Sequence, residues 1–283
     1  MSFDRRITPV REDLADERLR GQVTAERFTA GTVKRVVATF SPLHRHPSRE
    51  APVDTQAIFG ESVTVYDEHE GWAWVQFHDD GYVGYLPSEA LGEAGPEPTH
   101  KVRAIRTFIY PGPNLKLPFQ DYLTLNSKVA VTETEGNYAR LASGGWVFAA
   151  HLTGLDIFEP DYVSVAERFL HTPYLWGGKT SLGIDCSGLA QTVLTAAGIK
   201  APRDTDMQER ELGTAIAVKP DLSGLRRGDL VFWKGHVGLM LDETNLIHAT
   251  GHSMTVMIEP LSVAEKRIRE VSYGPISSIK RLG

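Results

Sequence analysis

The sequence has a single cysteine, Cys186, in 283 residues. An internal disulfide is excluded, and a thiolate-rich structural zinc site has too few ligands. One thiol also agrees with a reducing compartment. Basic charge is scarce: 30 Lys and Arg stand against 36 Asp and Glu, for a formal net charge of -6. That balance offers no field for a nucleic-acid backbone or an anionic membrane, so neither is expected as a partner. Long apolar runs are missing too. No stretch approaches the roughly 20 apolar residues of a membrane span. The opening MSFDRRITPVREDLADERLRGQV is charged throughout, without the apolar core of a signal peptide. The expectation is a cytoplasmic protein, and no metal or cofactor is called for.

The length suits two or three domains. From about Gly31 to Gly92, short apolar stretches alternate with turn residues. ESVTVYDEHEGWAWVQF reads as a hairpin with one buried face, and Asp80 and Gly81 mark the next turn. This is the pattern of a small antiparallel barrel. GEAGPEPTH, residues 92–100, reads as a linker, and after it the theme returns in KVRAIRTFIYPGPN and LKLPFQDYLTLNSKVAVTETEGNYARLASGGWVFAAHL. EGWAWVQFHDDGYVGYLPSEAL and EGNYARLASGGWVFAAHL read as degenerate copies of one unit. Both resemble bacterial SH3-like modules, in which Trp72, Trp74, Tyr82 and Tyr85 are first of all core and rim residues. The stretch before Gly31 is charged and expected to be helical, with no role assigned.

Near Phe158 the character changes. Val163, Ala166, Phe169 and Leu170 fall at helical spacing, with Asp161 or Ser164 able to cap and Pro173 stopping the run. LAQTVLTAAG is a second helix closed by Gly198. GDLVFW, HVGLMLD and NLIHAT follow as strands, with VSYGPISSIKRL as a last one. Helices followed by strands imply an α+β domain with the sheet packed on the cysteine helix. The expected divisions are a 1–30 extension, barrels over 31–95 and 96–157, and an α+β domain over 158–283.

A helix beginning at Cys186 would hold the thiol where free N–H groups and the macrodipole favour an anion, a setting that suits a nucleophile. Of ten histidines, His44, His46, His69, His78 and His100 sit in loop-like or turn-rich stretches. His236 opens the strand HVGLMLD, and His248 lies in NLIHAT across the turn DETN. A hairpin would hold the two near each other, His236 as base and His248 as its orienter. The register is critical. A plain loop over 242–245 would set Leu239 opposite His248, and a tighter turn would bring the histidines together.

YLWGG (174–178), GIDCSGL (183–189), PRDTDMQ (202–208), LRRGDLVFW (225–233), HVGLML (236–241) and LIHAT (246–250) resemble the successive motifs of the NlpC/P60 cysteine peptidases, in order and at family-like spacing. The resemblance covers about residues 160–283 and implies a stripped-down papain-like fold that hydrolyses bacterial cell-wall peptides at the γ-D-glutamyl to diamino acid bond. With paired SH3-like modules in front, the chain is similar to dipeptidyl-peptidase VI-like members, which release L-Ala-γ-D-Glu from murein peptides with a free N-terminal L-alanine. Carried over, it implies Cys186 as nucleophile, His236 as general base and then acid, and His248 as third polar residue. It implies Tyr174 as an oxyanion partner of the Cys186 N–H, and Asp185, Ser187 and Thr205 as substrate contacts. In the first barrel, Glu61 with Tyr82 or Tyr85 are candidates for binding the alanine ammonium, which needs a carboxylate or hydroxyl partner in a closed pocket. Asp229 is read as a turn residue. A thiol acyltransferase or amidase, and a non-catalytic wall-peptide binder, stand as alternatives. Oligomeric state and the preferred diamino acid are not legible.

Overall fold

The alternation in ESVTVYDEHEGWAWVQF does build a hairpin. Strands Ser62–His69 and Trp72–Phe77 are joined at Glu70 and Gly71, both with positive φ (49° and 79°). In the computed structural model, which describes residues 3–283, this hairpin is the centre of a seven-stranded sheet. The sheet runs in the order Val53–Ile58, Phe40–His44, Val83–Pro87, Trp72–Phe77, Ser62–His69, Thr32–Val36, Leu91–Glu93. Every pairing in it is antiparallel. One face closes on Val36, Leu43, Val63, Val75, Phe77, Tyr82 and Leu86, all buried. Each such side chain contributes roughly 1.5–3 kcal/mol when withdrawn from water.

The segment before Gly31 is not helical as expected. Leu14–Asp16 pairs in parallel with Arg27–Thr29, with one 3-10 turn at Glu17–Leu19 between them. Its charges are spent on the first sheet. The Tyr66 hydroxyl donates to Asp16 at 2.7 Å, Arg11 bridges Asp13 and Asp67, and the same guanidinium lies 4.5 Å above the Trp74 ring. Leu14 joins Tyr66 and Trp74 in a small apolar cluster. These local pairs satisfy groups that a solvated helix would have left facing water.

Residues 100–154 repeat the winding in a more broken form. Leu152–Gly154, His100–Val102 and Lys128–Val129 form one three-stranded sheet; Val131–Glu135, Tyr138–Leu141 and Trp146–Phe148 form another. A bridge from Trp146 to Tyr110 leads on to the pair Arg106–Ile109 and Asp121–Thr124. The two stretches thus share one strand order, and each ends in strand, 3-10 turn, strand: Val83–Pro87, Ser88–Ala90, Leu91–Glu93 and Trp146–Phe148, Ala149–His151, Leu152–Gly154. Val102, Leu123, Leu141 and Val147 form a separate core. Both stretches belong to the first of two compact units, which ends at Leu155.

The second unit, Asp156–Gly283, is α+β. Its six-stranded antiparallel sheet runs Thr214–Ile216, Ser278–Arg281, Leu230–Trp233, His236–Met240, Asn245–Thr250, Thr255–Pro260. The first helix, Tyr162–Glu167, is capped by Asp161, which accepts from Val163 N–H. The central helix, Cys186–Ala196, exposes only Thr195 and lies against strand His236–Met240. A helix buried on nearly every side belongs to the core, so its N-terminal residue is held by packing around it. Gly198 follows in the left-handed region (φ 78°), the C-terminal stop that the sequence suggests. Two helices were not foreseen, Thr205–Glu211 and Leu261–Val271, the second packing on the two strands at the sheet's end. Among the described residues no helix is long and apolar enough to cross a membrane.

Candidate active site

Cys186 is the first residue of its helix and is only 7 % exposed. Asp185 caps that helix and is fully engaged. One carboxylate oxygen accepts from Gly188 N–H at 2.7 Å and from the Ser187 hydroxyl at 3.3 Å; the other accepts from Gly177 N–H at 2.8 Å and from Arg203 at 2.7 Å. The first duty of Asp185 is therefore to hold the turn that presents the thiol. The glycine of GIDCSGL serves the same turn: a Cβ at Gly188 would stand 2.1 Å from the carbonyl oxygen of Gly178, so only glycine allows this approach.

Arg203, which the sequence hid inside PRDTDMQ, is the buried counter-charge. It is 1 % exposed and reaches the Ser187 hydroxyl at 2.8 Å as well as Asp185. Thr205, two residues on, is buried at the start of its helix, and Gln208 from the same helix donates to the Ser187 carbonyl at 2.9 Å. Asp185, Ser187, Arg203 and Gln208 are thus one hydrogen-bonded cluster under the thiol. Tyr174 sits on the loop that returns to this point, its N–H donating to Met254 and its residue bridged to Ile184. Its phenol is pushed well above the ordinary range, by burial first and then by its acidic neighbours Cys186 and Asp185.

The hairpin turn is tighter than a plain loop. Asp242 accepts from Thr244 and Asn245 N–H, and Leu239 faces Ile247 while Met240 faces Leu246. In that register His248 is level with Gly238, two residues along the same face from His236. The rings meet diagonally: Nε2 of His236 lies 2.9 Å from Nδ1 of His248. Tyr273 stacks flat on the His236 ring (5.8 Å between centroids, 3° between planes), and Trp233 packs at 5.6 Å. Trp233 closes the motif LRRGDLVFW, whereas Tyr273 lies outside every motif that sequence reasoning could have used.

The electrostatics overturn one expectation. Burial, and next the Asp185 carboxylate, push the Cys186 thiol up to about 11, although N–H groups of Val237 and Ser187 and the charge of Arg203 pull the other way. Burial, then the neighbouring His248 and Arg267, push His236 down to about 3, with Glu259 partly opposing. Desolvation outweighs the helix terminus, and the resting pair is neutral thiol and neutral imidazole. Alkylation of Cys186 by iodoacetamide is therefore expected to keep accelerating between pH 7 and pH 10; a rate already level at pH 6 would show a preformed ion pair instead.

The barrel candidates fare differently. Glu61 is buried, and its carboxylate accepts from Ile58 N–H at 2.8 Å within its own turn. Tyr82 is 3 % exposed in the barrel core. Both side chains are engaged inside the barrel, Glu61 in its own turn and Tyr82 in the core. Tyr85 is half-buried, and its hydroxyl accepts from Arg11 at 3.2 Å. His44, in a stretch that reads as loop-like, ends the strand Phe40–His44 and is buried with Nδ1 2.9 Å from the Ala51 carbonyl oxygen.

The chain that carries this site is similar to known proteins over most of its length. Residues 171–272 match the NlpC/P60 family, and residues 43–91 match the bacterial dipeptidyl-peptidase Sh3 domain. The second unit thus carries a domain of the NlpC/P60 cysteine peptidase family. It is 29 % identical over 245 residues to the gamma-D-glutamyl-L-lysine dipeptidyl-peptidase of Bacillus cereus, covering 74 % of this chain and 71 % of that one. It is 26 % identical to dipeptidyl-peptidase 6 of Lysinibacillus sphaericus, covering 87 % of this chain and 98 % of that one. A solved NlpC/P60 family protein from Bacillus cereus shares the fold, with a TM-score of 0.73 at 22 % identity over 88 % of this chain and 99 % of its own. This chain is therefore a hydrolase with an SH3 domain in front of its NlpC/P60 domain.

Proposed function

We propose that this NlpC/P60 peptidase hydrolyses the γ-D-glutamyl to diamino acid bond of murein peptides that carry a free N-terminal L-alanine, releasing L-Ala-γ-D-Glu during cell-wall peptide recycling in the cytoplasm. The observation that carries the reading is the joint one: a buried cysteine at a helix start, a hydrogen-bonded histidine pair and an Sh3 domain ahead of them, in a chain similar over most of its length to two proteins named dipeptidyl-peptidases. We read residues 100–154 as a second, diverged SH3-like barrel, supported by the strand order it shares with the first.

In the mechanism, His236 takes the thiol proton through Nδ1, its other ring nitrogen being engaged by His248. The sulfur attacks the γ-carbonyl carbon, and the oxyanion is held by the Cys186 N–H, which has no acceptor in the first helical turn, and by the Tyr174 hydroxyl. Each such donor is commonly worth about 3 kcal/mol. Tyr174 suits that task because its raised pKa keeps the proton on. His236 then returns the proton to the leaving amine, and water, deprotonated by His236, opens the thioester. Since resting thiol and imidazole are both neutral, proton transfer and attack are coupled. Ser187 and Thr205 are the substrate contacts, and Asp185 and Arg203 the frame beneath them.

Mass spectrometry of L-Ala-γ-D-Glu-diamino acid peptides, free and N-acetylated, tests both bond and terminus. The free peptide should yield L-Ala-γ-D-Glu and the acetylated one at least about 100-fold less, since burying an ammonium partner without its ligand costs several kcal/mol. Equal rates would remove the requirement for a free terminus, and a product cut elsewhere would remove the bond assignment.

A further inference from the structure

Three side chains along one face of the catalytic sheet form a hydrogen-bonded line. Nε2 of His236 lies 2.9 Å from Nδ1 of His248, and Nε2 of His248 lies 2.9 Å from Oε1 of Glu259. Both oxygens of Glu259 accept from the Arg267 guanidinium, which comes from the helix Leu261–Val271. His248 is wholly buried, and Glu259 nearly so. Strand register explains the alignment: Gly238 is level with His248 and Leu246 faces Glu259, so each member is two residues along from the last on the same face.

Two neutral imidazoles joined by one hydrogen bond can place their protons in two ways. In the first, His236 donates through Nε2–H and keeps Nδ1 as a free base. In the second, His248 donates through Nδ1–H, and the proton of His236 then occupies Nδ1, which cannot accept the thiol proton. The pair alone does not choose between them. An ionised carboxylate does, because it can only accept: it requires Nε2–H on His248, which leaves Nδ1 of His248 as acceptor and draws the proton of His236 onto Nε2.

We propose that Glu259, clamped by Arg267, is a positioning residue that fixes the tautomer of His248 and through it that of His236, leaving Nδ1 of His236 free to take the Cys186 proton. The inference rests on the peptidase reading above. When the thiol proton moves to Nδ1, His236 becomes a cation that still donates through Nε2, and no proton passes to Glu259. Although burial opposes it, hydrogen bonds from Arg267 and His248 hold Glu259 at about 2, so it remains an acceptor throughout. Nothing in TVMIEP marks this residue, since a lone acid near a strand end reads as solvated surface.

Glu259→Gln discriminates. Its single carbonyl oxygen is drawn to Arg267, an all-donor partner, and its NH2 turns to His248, which enforces the unproductive arrangement. Replacing the buried carboxylate behind a catalytic histidine by its amide lowers kcat about 10⁴-fold in the serine peptidase case, through the wrong tautomer. The full chain should likewise lose about 10³- to 10⁴-fold in kcat on L-Ala-γ-D-Glu-diamino acid peptide, with KM nearly unchanged. Nitrogen-15 NMR of the histidine rings reads the tautomers without any turnover. Wild-type His236 should carry its proton on Nε2, and the variant should carry it on Nδ1. A proton on Nδ1 in the wild type overturns the proposal even if the variant does not fold, and so does a variant whose tautomers or kcat match the wild type. Absence of turnover in the wild type would strike the substrate reading and leave the NMR result standing.

Discussion

Cys186→Ala is expected to lower kcat by about six orders of magnitude, His236→Ala by a similar factor, and the double variant by no more than either alone. The pattern carries more information than any single loss. A nucleophile and its base act in one step, so removing either removes the step, and what survives is the polarisation and binding supplied by Tyr174 and the pocket. His248→Ala should cost less, about 10³- to 10⁴-fold, because His236 persists and only its orientation is lost. Stability should separate these effects from misfolding. Cys186 packs as a small apolar side chain, and trimming its sulfur should change the unfolding free energy by about 1 kcal/mol. Steady-state kinetics on the purified variants, with urea denaturation alongside, measure both. Multiplicative losses in the double variant would mean that cysteine and histidine work in separate steps, and an alanine variant retaining a hundredth of the rate would remove Cys186 from the chemistry.

How far the sequence led depends on which physical signal each feature leaves. The hairpin around Glu70 and Gly71, the cap at Asp161 and the left-handed stop at Gly198 were legible because apolar period, capping chemistry and glycine freedom are local. The histidine hairpin was half legible. Its strands declared themselves, whereas its register depended on how Asp242 folds the turn. Arg203 and Glu259 were not legible, since a buried charge is recognised only by its partner, and the partners lie 18 and 8 residues away at Asp185 and Arg267. The parallel pairing of Leu14–Asp16 with Arg27–Thr29 has no periodic signature in a charged stretch. The raised thiol of Cys186 has a related origin: a helix start is visible in sequence, but the depth at which the helix is buried is not.

Arg203→Met is the stability counterpart of the catalytic variants, and it is expected to lower the unfolding free energy by about 3–5 kcal/mol. The side chain is 1 % exposed, and methionine is close enough in length to keep most of the packing. The loss is therefore electrostatic: Asp185 remains buried with Gly188, Gly177 and Ser187 as donors but with no opposing charge. A second substitution separates the charge from the shape. In Asp185→Asn/Arg203→Met no charge is left uncompensated, and part of the stability should return. Recovery should be incomplete, because the amide NH2 would face the Gly177 N–H where the carboxylate accepted it. Urea unfolding of the wild type, Arg203→Met, Asp185→Asn and the double variant gives the coupling energy, and a value under about 0.5 kcal/mol would mean that the two residues act independently. The same cycle reaches the thiol. Arg203 is one of the charges that pull the Cys186 pKa down against burial, so at a fixed pH between 7 and 9 the Arg203→Met protein should alkylate more slowly than the wild type. Asp185 pushes the thiol the other way, so the double variant should regain speed. A thiol rate that ignored both substitutions would show that the cluster holds the helix start without tuning the nucleophile.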